Sequence, residues 1–256
     1  MPPLTLHIAD GRAVLTLANP EQGNRLNAPF MERMTGAVAE LERRDDYRCL
    51  ILRAQGPQFC VGGAIDEFIA ADDFADHIRH TLPPAHDVFA RLAALPVPIV
   101  AAIQGPVAGG GLGLALCADI VIGSDKAMFR AGYPAIGVSP DLGSSYHVLR
   151  RTGPTFAMAL FMTNRKVEAI EALTAGLLNE AVPAAALDAR IAQLAATLEA
   201  MPRASLAAIK RLISAPGQTL PDHMAKEAAE IISCAGTADA IEGITAFSEN
   251  RPARFG

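Results

Sequence analysis

With 256 residues, of which 51% are hydrophobic and 19% charged, the chain has an ordinary globular composition, and its apolar surplus is expected to cover a subunit interface. A formal net charge of −5 and 22 basic residues that form no long cluster exclude nucleic acid as the main partner. No apolar run approaches ~18 residues and Met1-Pro2-Pro3-Leu4-Thr5-Leu6 has no basic segment, so neither a membrane span nor a signal peptide is expected. Cysteines at 49, 60, 117 and 234, without Cys-x-x-Cys or metal spacing, read as reduced core residues of a cytoplasmic protein with no metal.

Residues 4–9 and 12–18 are predicted strands on either side of Asp10-Gly11, a strong hairpin signal. The polar stretch Asn24-Arg25-Leu26-Asn27-Ala28 leads into a helix over about 29–43. A strand over 49–53 ends at Gln55-Gly56-Pro57, and Phe59-Cys60-Val61-Gly62-Gly63-Ala64-Ile65-Asp66-Glu67-Phe68 follows. Residues 66–76 are acidic and irregular, with a helix predicted over about 77–95. Asp66, Glu67, Asp72 and Asp73 there read as solvated or as complementing the helix dipole.

The apolar run 99–103 enters Gln104-Gly105-Pro106, and Gly109-Gly110-Gly111 opens an apolar segment of helical spacing that ends at Asp119. Strands are predicted at 120–123 and 127–130. From residue 155 onward the pattern is helical, over about 155–163, 167–175, 184–199, 203–214, 221–234 and 239–250, with a short strand signal at 180–182. A strand-rich core over 1–200 therefore precedes a helical region over 201–256, with no visible internal repeat and no low-complexity linker.

Three glycines in a row place bare peptides at a helix N-terminus, where free N–H groups and the helix dipole bind negative oxygen. A phosphate loop would need Gly-Lys-Ser/Thr, and no Lys follows. A dinucleotide fingerprint would need Gly or Ala where Leu116 stands. On this stretch alone, close helix packing explains the glycines equally well. Gly62-Gly63 shifts the weighing, because two strand-turn-glycine-helix units can aim two N–H donors at one point, as an oxyanion hole requires.

Phe59-Cys60-x-Gly62-x-x-Ile65-x-Glu67-Phe68, then Pro98-Ile99-Val100-Ala101-Ala102-Ile103-x-Gly105-x-x-x-Gly109-Gly110-Gly111 and Ala118-Asp119-Ile120-Val121-Ile122, resemble the crotonase (enoyl-CoA hydratase/isomerase) superfamily. The resemblance spans nearly the whole chain, including a closing segment from Phe247 to Phe255. It implies an α/β fold, a crotonase-like spiral of ββα units, with C-terminal helices that build a homotrimer, often doubled to a hexamer. It further implies an acyl-CoA thioester substrate, coenzyme A being part of that substrate and no separate cofactor being needed. Gly63 and Gly110 match the oxyanion donors. Arg25, Val61, Ala64, Ile65, Gly109 and Tyr133 match substrate contacts, with Arg25 near the coenzyme A phosphates or, alternatively, a solvated loop arginine.

Hydratases of that superfamily use two glutamates to hold and activate water, at the positions matched here by Gly113 and Tyr133, and neither carboxylate is present. Glycine offers no acid/base group, and a tyrosine near pKa ~10 is a poor base at neutral pH. The segment Ser139-Pro140-Asp141-Leu142-Gly143-Ser144-Ser145-Tyr146 instead resembles that of Δ3,Δ2-enoyl-CoA isomerases, which makes Asp141 the candidate acid/base. From spacing alone Asp141 is a helix N-cap; the surrounding motif favours catalysis. Tyr133 reads as a pocket wall or hydrogen-bonding group, otherwise a core aromatic, and His147 as a surface or packing residue. The expected activity is an enoyl-CoA isomerase. Its alternatives are hydration, ring-opening isomerisation, or acyl-CoA binding without turnover, with covalent use of Asp141 ranked lower.

Overall fold

Asp10 (φ 51°) and Gly11 (φ 75°) are both left-handed and close a two-residue turn between β1 (Leu4–Ala9) and β2 (Arg12–Leu17), with Ala9 opposite Arg12. The structure, a computed structural model, describes residues 2–215, 217 and 219–256. α1 (Ala28–Arg43) starts where Asn27 accepts the Phe30 N–H at 3.0 Å, and it buries Phe30, Met34, Val38 and Leu41 on one face. β3 (Cys49–Ala54) then pairs with β2 in parallel.

α2 (Ile65–Ala70) and α3 (Phe74–Ala93) replace the irregular segment and the helix start at 77 that the pattern predicts. The cause is Asp73, whose carboxylate accepts the Asp76 N–H at 2.9 Å and starts α3 early. β4 (Ile99–Ile103), β5 (Pro106–Ala108), α4 (Gly110–Leu116), β6 (Ile120–Ser124) and β7 (Met128–Arg130) follow. α5 (Ser144–Thr163) is interrupted at Gly153, whose φ 76° and ψ 169° are not helical, and its second half starts at Pro154, beside the helix start the pattern predicts at 155. β8 (Val167–Glu168) pairs with β7 and so removes two residues from the predicted helix over 167–175, leaving α6 (Ala169–Ala175). β9 (Glu180–Val182), α7 (Leu187–Glu199), α8 (Arg203–Ser214), α9 (Leu220–Ala235) and α10 (Ala238–Ser248) complete the chain.

The main sheet runs β1-β2-β3-β4-β6-β9, parallel except for the hairpin, and a small second sheet runs β5-β7-β8. Both faces of the main sheet are covered, which is why β3 and β4 read as continuous apolar runs and not as alternation. Leu50, Leu52, Ile99, Ala101 and Ile103 face the larger core, which includes α1, α3 and α4. Cys49, Ile51, Val100 and Ala102 face Leu187, Ile191, Ala195 and Leu198 of α7.

Asp119, just before β6, ties the helical tail to this sheet. Its carboxylate accepts the Ile99 N–H at 2.8 Å and meets Lys210 Nζ of α8 at 3.0 Å, while Nζ also reaches the Val97 carbonyl at 3.1 Å. Ile213, Leu220, Ile231, Ile232, Ile244 and Phe247, on α8, α9 and α10, stand exposed. No helix among the described residues is long and apolar enough to cross a membrane.

Candidate active site

Two crossovers deliver the glycine pairs to one place. After β3, Phe59 and Cys60 donate to the Pro106 carbonyl at 3.0 and 3.3 Å, and Ala108 returns a hydrogen bond to the Cys60 carbonyl at 2.9 Å. Val61-Gly62-Gly63 therefore runs beside Ala108-Gly109-Gly110. A Cβ on Gly62 would stand 2.9 Å from the Ala108 carbonyl oxygen, and Gly62 also has φ +96°, so the approach requires glycine.

The planar peptides then set the donors. The Gly62 carbonyl is taken by the Leu26 N–H at 2.8 Å and the Gly109 carbonyl by the Leu112 N–H at 2.9 Å. In each trans peptide the N–H of the next residue points the opposite way. Those are the Gly63 and Gly110 N–H groups. Neither donates to another group among the described residues, and both residues line one cavity of about 520 Å³. The second amide lies at the start of α4, so the helix dipole adds to its pull on negative charge.

Asp141 is the one carboxylate among the described residues lining that cavity. Its Oδ1 lies 3.6 Å from where a Cβ on Gly110 would be, so the carboxylate and the amide donor are neighbours. The carboxylate does not cap α5. That helix starts from Gly143 in the left-handed region (φ 76°), and the Asp141 main-chain carbonyl accepts both the Ser144 N–H at 2.9 Å and the Ser144 hydroxyl at 2.8 Å. The side chain is left to face the cavity. The cap reading suggested by spacing alone is therefore not the role its carboxylate plays.

Tyr133 supplies the partner. Its hydroxyl donates to Asp141 Oδ1 at 2.7 Å and lies 2.9 Å from Ser144 Oγ. Burial holds the Asp141 carboxyl above the ordinary carboxylate range, opposed by the Tyr133 hydrogen bond. Burial and the Asp141 charge push the Tyr133 phenol well above its ordinary value. Tyr133 is thus a hydrogen-bond donor to the carboxylate and no base.

Of the residues singled out from sequence, Val61, Gly63, Ile65, Gly109, Gly110, Tyr133 and Asp141 share the cavity. Arg25 and Ala64 do not line it. Ala64 is buried at the start of α2, and Arg25 Nη1 reaches Asp66 Oδ1 at 2.6 Å while its Nε is buried without a partner. His147 lies outside the cavity, half-buried, and burial beside Arg151 and Arg150 lowers it to about 4. The cavity's apolar wall comes from Phe68 and Phe74, from Ile78 and Leu82 of α3, and from Ile136 and Val138. His86 continues the Ile78–Leu82 stripe at helical spacing and completes that wall, a signal the sequence carried at i, i+4, i+8. Among the described residues no group of three or more His, Cys, Asp or Glu could hold a metal ion. Burial pushes the Cys60 and Cys117 thiols up to about 12, so both are inert packing groups.

The family model described as Enoyl-CoA hydratase/isomerase matches residues 7–256. The chain belongs to the enoyl-CoA hydratase/isomerase family. It is 34% identical over 97% of its length to a Rhodobacter capsulatus protein named probable enoyl-CoA hydratase, covering 95% of that protein. It is 31% identical to the 1,2-epoxyphenylacetyl-CoA isomerase of Escherichia coli, with 97% of this chain and 96% of that one covered. The crystal structure of an enoyl-CoA hydratase from Polaromonas sp. JS666 superposes with a TM-score of 0.92 at 27% identity, covering 99% of both chains. The fold is thus the crotonase fold that the motifs imply, and the family acts on acyl-CoA thioesters.

Residue 113 has no room for a side chain. A Cβ on Gly113 would stand 2.0 Å from the Leu142 carbonyl oxygen, so the backbone of the Asp141 loop fills the space a side chain would need. Leu142 reaches it from a left-handed conformation, φ 47°.

The raised Asp141 carboxyl has a consequence for stability. The unfolded chain loses this proton near pH ~3.9 while the folded chain still holds it, so ionisation costs stability as pH rises through that window. In urea titrations from pH 4 to 7, Asp141→Asn is expected to gain stability relative to wild type as pH rises. A difference that stays flat or reverses contradicts the raised carboxyl.

Proposed function

We propose that the cavity binds an enoyl thioester of coenzyme A and that Asp141 moves its double bond. The Asp141 carboxylate takes a proton from C2 of a 3-enoyl-CoA. The electrons shift onto the thioester oxygen, where the Gly63 and Gly110 N–H groups hold the dienolate. Asp141 then returns the proton at C4, leaving the conjugated 2-enoyl thioester. One carboxylate acts as base and then as acid, and no water and no separate cofactor enter. The observation that carries this reading is the single carboxylate beside the Gly110 N–H, with the backbone of its own loop in the space at residue 113.

The environment suits both halves of the cycle. A carboxylate raised by burial is a stronger base than one in water, and the Tyr133 hydrogen bond favours its ionised form. Two aimed N–H donors stabilise charge only once it forms, each contributing roughly 10²–10³ in rate. The likeness to 1,2-epoxyphenylacetyl-CoA isomerase supports a second substrate for the same groups, an epoxide-bearing arylacetyl thioester of coenzyme A. The exposed apolar residues of α8, α9 and α10 support a homotrimer built through residues 201–256.

The test is double-bond migration and deuterium uptake in heavy water with a trans-3-enoyl-CoA. Wild type is expected to form the 2-enoyl thioester and Asp141→Asn to form it ~10²-fold or more slowly. If both proteins bind the ligand and neither forms the 2-enoyl thioester or takes up deuterium, the isomerase reading fails. Tyr133→Phe removes the hydrogen bond that lowers the Asp141 carboxyl, so the acidic limb of the kcat–pH profile is expected to move to higher pH. A limb that stays in place contradicts the role given to Tyr133.

A further inference from the structure

The peptide joining Asp141 to Leu142 is pinned at both ends. Its carbonyl accepts the Ser144 N–H and hydroxyl, at 2.9 and 2.8 Å, from within the same turn. Its N–H donates to His86 Nε2 at 3.1 Å, across to α3. No other acceptor for the Leu142 N–H is present among the described residues.

Leu142 is also conformationally unusual. The other non-glycine residues with positive φ are Asp10, Asn24, Asn164 and Asn250, types that visit the left-handed region readily. A leucine in that region needs its surroundings to hold it. Its carbonyl is fixed by packing onto Gly113 and its side chain by packing onto Gly110, where Cδ1 lies 2.7 Å from the position of a Cβ. The Leu142 N–H is held by His86 alone among the described residues. To accept a proton there the imidazole must be neutral, with its own proton on Nδ1.

We propose that His86 is a positioning residue for the reaction: by accepting the Leu142 N–H it holds the Asp141–Leu142 peptide in place and so keeps the Asp141 carboxylate beside the Gly110 N–H. This rests on the reading of Asp141 as the base. Because Ile78 and Leu82 line the cavity from the same face of α3, the helix that meets the acyl chain is also the one that orients the base. His86 itself is exposed, so its replacement leaves the buried core intact.

Glutamine and methionine separate an acceptor from a side chain of similar size and shape without one. Steady-state isomerisation of a trans-3-enoyl-CoA would be measured for wild type, His86→Gln, His86→Met and Asp141→Asn, with thermal melts to confirm folding. The methionine variant is expected to lose at least ~10-fold in kcat with KM within ~3-fold, and the glutamine variant to recover most of that loss. If His86→Gln falls as far as His86→Met, or if His86→Met keeps the wild-type kcat, the positioning role is overturned while the base role stands. If Asp141→Asn keeps the wild-type rate, the base reading falls and the proposal with it.

Discussion

The close approach of the Leu142 carbonyl to Gly113 is the constraint on which the site depends. α4 is buried along its whole length, and its first turns are squeezed between the strand leading to Gly62 and the loop carrying Asp141. A Cβ on Gly111 would meet the Cys60 carbonyl at 2.5 Å, and one on Gly113 the Leu142 carbonyl at 2.0 Å. Backbone thus packs on backbone from both sides, which only glycine permits. The result is a helix N-terminus whose first amide faces a cavity and a carboxylate at once. A left-handed leucine costs about 1–3 kcal/mol, which the packing of Leu142 on Gly110 and Gly113 has to offset.

The same constraint bears on what the site can do. Space that could hold a second carboxylate on α4 is filled by the loop itself, and the residue at 133 is a buried phenol held protonated by its neighbourhood. One carboxylate beside two amide donors suits a proton taken from and returned to a single face of a substrate. Activating water would call for a second group. Tyr133, Ser144 and Asp141 form a connected set in which a hydroxyl supports the carboxylate and another hydroxyl supports the turn that carries it.

Much of this was legible because it is local. Asp10-Gly11 closes its hairpin by its own backbone preference, and the apolar runs at 49–53 and 99–103 are buried strands covered on both faces. The two glycine pairs were visible as possible donors, and their convergence needed only the pairing of two successive crossovers. What was not legible is long-range or depends on a single side chain. Asp73 moves the start of α3, and the pairing of Val167 with β7 shortens a helix whose pattern is otherwise sound. Spacing alone read Asp141 as a cap and the surrounding motif favoured a base; the turn shows that its main chain, and not its carboxylate, takes the Ser144 N–H. Arg25 and Asp66 are 41 positions apart, and nothing in either segment announces their contact.

Proton transfer by Asp141 alone is tested most directly by mass analysis of the product formed from a trans-3-enoyl-CoA in ¹⁸O-labelled water. The single carboxylate predicts a conjugated 2-enoyl thioester of unchanged oxygen content as the main product. A 3-hydroxyacyl thioester carrying ¹⁸O, formed as the main product and at the same rate by Asp141→Asn, would contradict it.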